Sequence, residues 1–353
     1  MSKATICVVV PVYKAMATLD RCVESVLAQQ VEGGLTCILV DDGSPDESGA
    51  MCDAWAAKDD RVTVIHQDDL GVSGARNSGV AAADSEFIVF LDSDDALRPG
   101  ALQAALTAQR AAPQDFVVWH YTTDEHDPAA VTADAALRPQ AGLARLWLDC
   151  LLAMPWNKLY RTDLAKQLPF DVQYTLGEDL QFVLDYIALL GQTAPGFGYR
   201  VLNSPLTFYD CSRGGTLSTR YHANYCDIWP KHFAKLNTAC HTAGCPAEDM
   251  RPLHRAELQV FAEGVADIMR RDPSPTKRLR SYKAEAALRS PWLRALLERM
   301  KIEGCYSAYY LPCRWRNVGL VCRVANARLA DSPLYGKLDW AGYYLLLGRM
   351  RRD

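Results

Sequence analysis

No apolar run in this 353-residue sequence approaches the ~18 residues that span a bilayer, so a chain that crosses a membrane by a helix is not expected. Zinc-like cysteine pairing is also missing. Among the twelve cysteines, Cys240 and Cys245 have no matching second pair, and Cys305, Cys313 and Cys322 are too widely spaced for a compact ligand set. The chain opens without a charged-then-apolar leader, and Cys7, Cys22 and Cys37 fall where small core residues belong. Reduced thiols in a cytoplasmic protein are therefore the expectation. A glycine-rich phosphate loop is absent from residues 8–13, which argues against a sugar-phosphate nucleotidylyltransferase. Gly71-Val72-Ser73-Gly74 lacks the G-x-G-x-x-G spacing of a dinucleotide dehydrogenase and does not open the first βα turn. Internal repeats and low-complexity tracts are absent too.

What is present is an ordinary globular composition, 49% hydrophobic and 23% charged. The net charge of −4 hides an uneven distribution. Residues 270–353 hold 18 Lys/Arg against 7 Asp/Glu, so an acidic body precedes a basic C-terminal section. That profile does not indicate nucleic-acid binding; it suits a section that rests on an anionic membrane surface.

Short apolar runs alternate with helical patterns through the first half. Strands are expected at 5–12, 36–40, 62–66 and 87–91, helices after Thr18 and around 47–57, and over 71–83 a glycine-marked loop running into a small-residue helix. This βαβ rhythm predicts an α/β fold with a mostly parallel sheet, whose ligands bind beyond the carboxyl ends of the strands. Pro11-Val12-Tyr13, Asp41-Asp42 and Asp92-Ser93-Asp94 all fall at such ends. The last of these is the most informative. Phe87 to Leu91 reads as a buried strand, yet it runs straight into Asp92, Asp94 and Asp95. Carboxylates crowded at a buried strand end repel one another and are costly to desolvate, and a hard divalent cation would relieve both. A solvated acidic turn is the simpler explanation if the stretch is taken alone.

Further on, 116–121 is another expected strand and 124–139 a polar surface loop. Gly177-Glu178-Asp179 opens an apolar helix, where acidic residues also suit the positive end of the helix dipole. Residues 197–210 read as short strands or loops, 212–218 as a flexible polar loop, and the chain from about Tyr225 as helical. These patterns divide it into an α/β domain over 1–220 and a helical region over 221–353, with a basic module from about 273.

Taken together, VVVPVYKAMATLDRCVESVLAQ, ILVDDGSPDES, GVSGARNSGV, FIVFLDSDDAL, WNKLYRTDL and GEDLQF resemble the family 2 glycosyltransferases, in the family's order and over roughly residues 4–220. Lys14 departs from the pattern, since the family often has Asn after the tyrosine. The resemblance implies a GT-A nucleotide-sugar fold with a mainly helical C-terminal extension. It also implies an inverting enzyme that moves a sugar from a nucleotide-diphosphate donor to an acceptor hydroxyl of a glycan, by metal-assisted direct displacement. A carboxylate at Asp42, able to accept from uracil N3–H, favours a UDP-sugar. By that resemblance Asp94 holds Mn²⁺ or Mg²⁺, assisted by Asp92, with Ser93 between them on the donor side and Asp95 supporting the turn. Asp179 is the base, and Glu178 an acceptor or structural contact. Pro11, Tyr13, Asp41 and Asp42 hold the nucleotide, and Arg76 lies near it. His222 is a further metal-ligand candidate, and Trp156 an acceptor-side one. A catalytically inactive scaffold of the same fold is the alternative, though it would need neither Asp92 and Asp94 nor Asp179. Arg289, Arg294 and Arg299 among Trp292, Leu293, Leu296 and Leu297, and the aromatic and basic residues of 340–353, read as interfacial helices. A peripheral position on the inner face of the plasma membrane and a lipid-linked acceptor follow from that reading.

Overall fold

The computed structural model describes residues 4–212, 220–332 and 335. The chain divides into two units, Met1–Gly214 and Gly215–Asp353. The division falls six residues before the expected one.

The first unit is built on a nine-stranded mixed sheet. Strands β1 (Ala4–Val12), β2 (Leu35–Asp42), β3 (Val62–Gln67) and β4 (Ser85–Phe90) alternate with helices α1 (Leu19–Leu27) and α2 (Ser48–Lys58), as the hydrophobic pattern predicts, and with α3 (Gly71–Ala82), which is helical from Gly71 rather than beginning as a loop. They pair parallel in the order β3-β2-β1-β4, so their carboxyl ends share one edge. Beyond β4 the chain adds β5 (Ala96–Leu97), α4 (Ala101–Ala111), β6 (Phe116–Thr122), β7 (Ala135–Pro139), α5 (Leu143–Leu148), β8 (Lys158–Arg161), α6 (Thr162–Ala165), α7 (Glu178–Thr193) and β9 (Gly198–Phe208). Strand β8 runs antiparallel between β4 and β6, and β9 runs parallel to β6.

Two features escape the pattern. The stretch read as a loop contains β7, and 197–210 is one eleven-residue strand rather than several short ones. Both are explained by pairing: β7 borrows its partner from β9, sixty residues on, and its own residues are mostly exposed, so no alternation marks it.

The core of this unit is aliphatic on one side of the sheet, where Val8, Val10, Val23, Leu39 and Val89 pack. Helix α3 must lie close against β1. A side chain at Gly79 would place its Cβ 2.2 Å from Val9 Cγ1, so the small residues of this helix are a condition of that approach. Near α7 the packing is aromatic. Phe182 stacks on Phe170 at 3.9 Å and meets Phe90 edge-on at 5.8 Å. Burying a ring of this size is worth about 2–3 kcal/mol, which pins the first turn of α7 to the end of β4.

The second unit is helical, as expected: α8 (Tyr225–Thr242), α9 (Ala247–Arg271), α10 (Lys277–Ala287), α11 (Pro291–Glu303), α12 (Tyr310–Arg314) and α13 (Val318–Leu329). His254 of α9 bonds Glu303 at the end of α11 (2.7 Å) and Asn237 of α8 (3.1 Å), tying three helices. A module beginning near 273 is not separate, because α9 shares one core with everything from α10 to α13. The amphipathic reading of residues 289–299 is likewise corrected. Leu293, Leu296 and Leu297 are buried in that core, and Trp292 packs on Phe233 and Phe261, so this apolar face is already covered. The 340–353 segment lies outside the described residues. Among those described, no helix is long and apolar enough to cross a membrane.

Candidate active site

The carboxyl edge of β1, β2 and β4 gathers acidic side chains around one buried cation. Arg76, on α3, is only 3% exposed. Its Nη1 donates to Asp179 Oδ1 at 2.6 Å and its Nη2 to Asp92 Oδ1 at 2.9 Å. The guanidinium fork thus joins the end of β4 to the start of α7, two segments 87 residues apart in the chain. Each carboxylate keeps a side facing solvent, with side chains 30% (Asp92) and 28% (Asp179) exposed.

Asp179 reaches this position because α7 begins abruptly. Gly177, at φ +77°, occupies the left-handed region just before the helix, which a β-carbon would disfavour. Phe182, one turn on, anchors the same face. Burial raises the Asp179 carboxyl to about pH 7; Arg76 opposes that rise, while Glu178 and Asp92 reinforce it. The helix N-terminus would lower this pKa, so burial prevails. Glu178 itself stands half-buried at the first position of the helix.

The acidic turn after β4 is gripped from below by α1. Arg21 Nη2 donates to the main-chain carbonyl of Asp94 and to Asp210 Oδ2, both at 2.6 Å, and the Cys22 thiol faces the carbonyl of Asp92 at 3.6 Å. The Asp210 N–H in turn donates to Asp95 Oδ1 at 2.9 Å. Asp95 is fully buried, and its Oδ2 has no hydrogen-bond partner. Burial, then the nearby Asp92, push its carboxyl up to about 9. Asp95 therefore supports the turn, as expected, and adds an unsatisfied buried oxygen beside Asp92 and Asp94. Ser93 and Asp94 are half-buried. The part played by Arg21 and Asp210 carries no local sequence signal, since they meet only through the fold.

Strand alternation separates the neighbours Asp41 and Asp42. Asp42 Oδ1 accepts from Gln67 Nε2 (2.7 Å) and from the N–H of Leu70 (2.9 Å), on the α3 side. Asp41 accepts from the N–H of Ser44 (3.1 Å) and meets His66 Nδ1 (2.9 Å). Burial pushes Asp41 upward, but the Ser44 and His66 bonds outweigh it and hold the carboxylate below its ordinary value. Pro11 is buried within β1, whereas Tyr13 is 44% exposed just past the strand end. Lys14 adopts φ +53°, a conformation that Asn tolerates better than Lys, which gives the departure at this position a backbone meaning.

Trp156 is buried, stacked on Tyr209 at 5.3 Å and edge-on to Tyr121 at 5.2 Å. Tyr209 in turn feels the charges of Asp95, Asp92 and Asp94, so this aromatic cluster borders the acidic turn. The residues that follow Trp156 serve the backbone. Lys158 is fully buried, and its Nζ donates to the carbonyls of Leu151 and Met154 and to Asn157 Oδ1. Burial lowers its pKa well below that of a free lysine. His222 belongs to the second unit, where its ring lies near Asp267 of α9.

A cavity of about 710 Å³ opens in this unit at the opposite edge of the sheet, lined by Ser85, Glu86, Arg110, Arg161, Asp163 and Lys166 among others. None of the predicted site residues lines it.

The model of the family described as glycosyl transferase family 2 matches residues 7–169. A stretch of 124 residues, 35% of this chain, is 39% identical to the glycosyltransferase GlyG of Streptococcus pneumoniae and spans 41% of that protein. A stretch of 208 residues, 54% of the chain, is 32% identical to the succinoglycan biosynthesis protein ExoO of Rhizobium meliloti and spans 58% of it. The chain thus matches about half the length of these curated relatives. The crystal structure of S. aureus TarS residues 1–349, in complex with UDP-GlcNAc, superposes with a TM-score of 0.63 over 93% of this chain and 92% of that one, at 16% identity. At that identity the likeness shows the fold, which is GT-A.

Proposed function

We propose that this chain, whose residues 7–169 belong to glycosyl transferase family 2, is an inverting glycosyltransferase that moves a hexose or N-acetylhexosamine from a UDP-sugar to an acceptor hydroxyl. The observation that carries the reading is Arg76, buried between Asp92 and Asp179, with the Asp179 carboxyl held near neutrality. An inverting displacement needs a base opposite the leaving group, ionised at working pH and still basic enough to take the hydroxyl proton. Asp179 meets that requirement through burial, and Arg76 keeps part of its population ionised. Asp179 Oδ2 is the atom that would accept the proton, since Oδ1 is held by Arg76.

Asp42 and Tyr13 would bind the nucleotide, a carboxylate accepting from the uracil N3–H and the exposed ring offering a face to the base, with Pro11 shaping the same pocket and Asp41 holding the turn after β2 through Ser44. A UDP donor is supported by TarS, which was crystallised with UDP-GlcNAc. The oxygen-only donors of the acidic turn, with the unsatisfied Asp95 Oδ2 beside them, fit a hard divalent cation held by Asp94 and Asp92. When bound, Mn²⁺ or Mg²⁺ would neutralise the charge that develops on the departing diphosphate. The role of Asp95 and Arg21 is to hold that turn in shape. Trp156 is sealed in its cluster, so Tyr121 and Tyr209 form the outer face on the acceptor side. Glu178 stands beside the base at the same helix start.

The acceptor is read as a growing cell-surface glycan, which the match to a succinoglycan biosynthesis protein supports. The basic, aromatic 340–353 segment would bring such an enzyme to an anionic membrane carrying a lipid-linked acceptor. A donor screen tests the core of the proposal. Nucleotide release is measured from a panel of UDP-, GDP- and dTDP-sugars with Mn²⁺, Mg²⁺ or EDTA. Metal-dependent release from a UDP-sugar is expected. Release from none of them identifies a catalytically inactive scaffold.

A further inference from the structure

The helical unit carries a pair of thiols for which the transfer reaction has no use. Helix α8 ends in a Schellman turn. The N–H of Cys245 donates to the carbonyl of Cys240 at 2.9 Å, that of Gly244 donates to His241 at 3.1 Å, and Gly244 supplies the required left-handed φ of +72°. This motif folds the residue after the glycine back over the one that begins the last turn, where two apolar side chains commonly touch. Here both are cysteines, and each thiol lies within electrostatic reach of the other. Cys240 is fully buried and Cys245 half-exposed, so one sulfur is reachable from water and the other waits behind it. The adjacent Cys245 thiol, and then burial, push the Cys240 thiol up, so it is held protonated.

We propose that Cys240 and Cys245 form a dithiol modification site that a peroxide-class oxidant closes to an intrachain disulfide. The Cys245 thiolate attacks one peroxide oxygen and the O–O bond breaks, giving Cys245 sulfenic acid and a hydroxide that takes up the proton the thiol released on ionising, as water. The Cys240 sulfur then attacks the Cys245 sulfur. The S–S bond forms as the S–O bond breaks, and the departing hydroxide takes the Cys240 proton. Two thiols and one hydrogen peroxide thus give one disulfide and two waters. The turn presets the separation. An α-helical continuation would carry residue 245 away from residue 240, whereas the reversed chain brings them together.

The test uses the full chain, reduced and then exposed to a small excess of hydrogen peroxide, with remaining thiols alkylated before digestion. Trypsin cuts after Lys235 and Arg255 but not between Arg251 and Pro252, so one peptide, 236–255, carries Cys240 and Cys245 and no other cysteine. The expected result is loss of two hydrogens from that peptide, resistance to alkylation, and reversal by dithiothreitol. Cys245→Ser should leave Cys240 alkylatable after the same treatment. A thermal melt gives a second readout: oxidation should raise the melting temperature of the native protein by about 2–4 °C and leave Cys245→Ser unmoved. Sulfinic acid at Cys245 with a free Cys240 would overturn the proposal. So would an unmodified peptide in a sample where the exposed Cys150 and Cys211 have been oxidised.

Discussion

The two edges of the same sheet carry similar residue types and make opposite use of them. At the amino edge, Arg110 pairs with Glu86 and Arg161 with Asp163 around the 710 Å³ cavity. Those four side chains are 37–60% exposed, and pairs of that kind are worth little because water and salt screen them. At the carboxyl edge Arg76 is 3% exposed and shared by two carboxylates, with a third acid, Asp95, sealed nearby. The cavity at the amino edge thus has relaxed charges, and the carboxyl edge has strained ones. Perturbed ionisation marks chemistry better than volume does.

That contrast predicts a graded set of mutational effects. Asp179→Asn, by the role proposed for that carboxylate, should reduce transfer about 10³-fold while leaving donor binding nearly intact, as read by kcat against the dissociation constant for UDP. Asp94→Asn should cost about 10²-fold and raise the metal concentration needed for half-maximal rate, measured by Mn²⁺ titration. Arg76→Lys keeps a charge but loses the fork. We expect about a 10-fold loss and, because Arg76 opposes the rise of Asp179, an acidic limb of the pH–rate profile displaced upward. At the amino edge, Glu86→Ala or Arg110→Ala should change rate less than about twofold and stability by less than about 1 kcal/mol, by donor assay and thermal melt. A loss at Arg110 comparable to that at Arg76 would erase the distinction between the edges.

Much of the carboxyl edge was legible in the sequence, because parallel βαβ units place strand ends together by topology alone. The alternation of apolar runs and helical stretches is enough to locate β1 to β4, and hence Asp42 and Asp92. What escaped was whatever depends on distant partners. Arg76 was expected near the nucleotide, but its bridge to Asp179 spans 103 positions, and no local pattern encodes it. The Arg21–Asp210 pair is hidden for the same reason, at a separation of 189. Strand β7 shows little alternation because it is mostly exposed, and Leu293, Leu296 and Leu297 looked interfacial because a sequence does not say which apolar face a neighbouring helix will cover.

The claim that Asp179 is a base tuned by burial is tested most directly by the pH dependence of kcat/KM for sugar transfer in the native enzyme and in Asp179→Asn. Burial raises the carboxyl from its ordinary 3.8 to about 7, so the ionised base is lost as pH falls through that value. The native rate should therefore climb tenfold per pH unit below about 7 and level above it, whereas the residual rate of Asp179→Asn should lack that limb. A native profile flat from pH 5 to 8, or the same limb surviving in Asp179→Asn, would contradict the assignment.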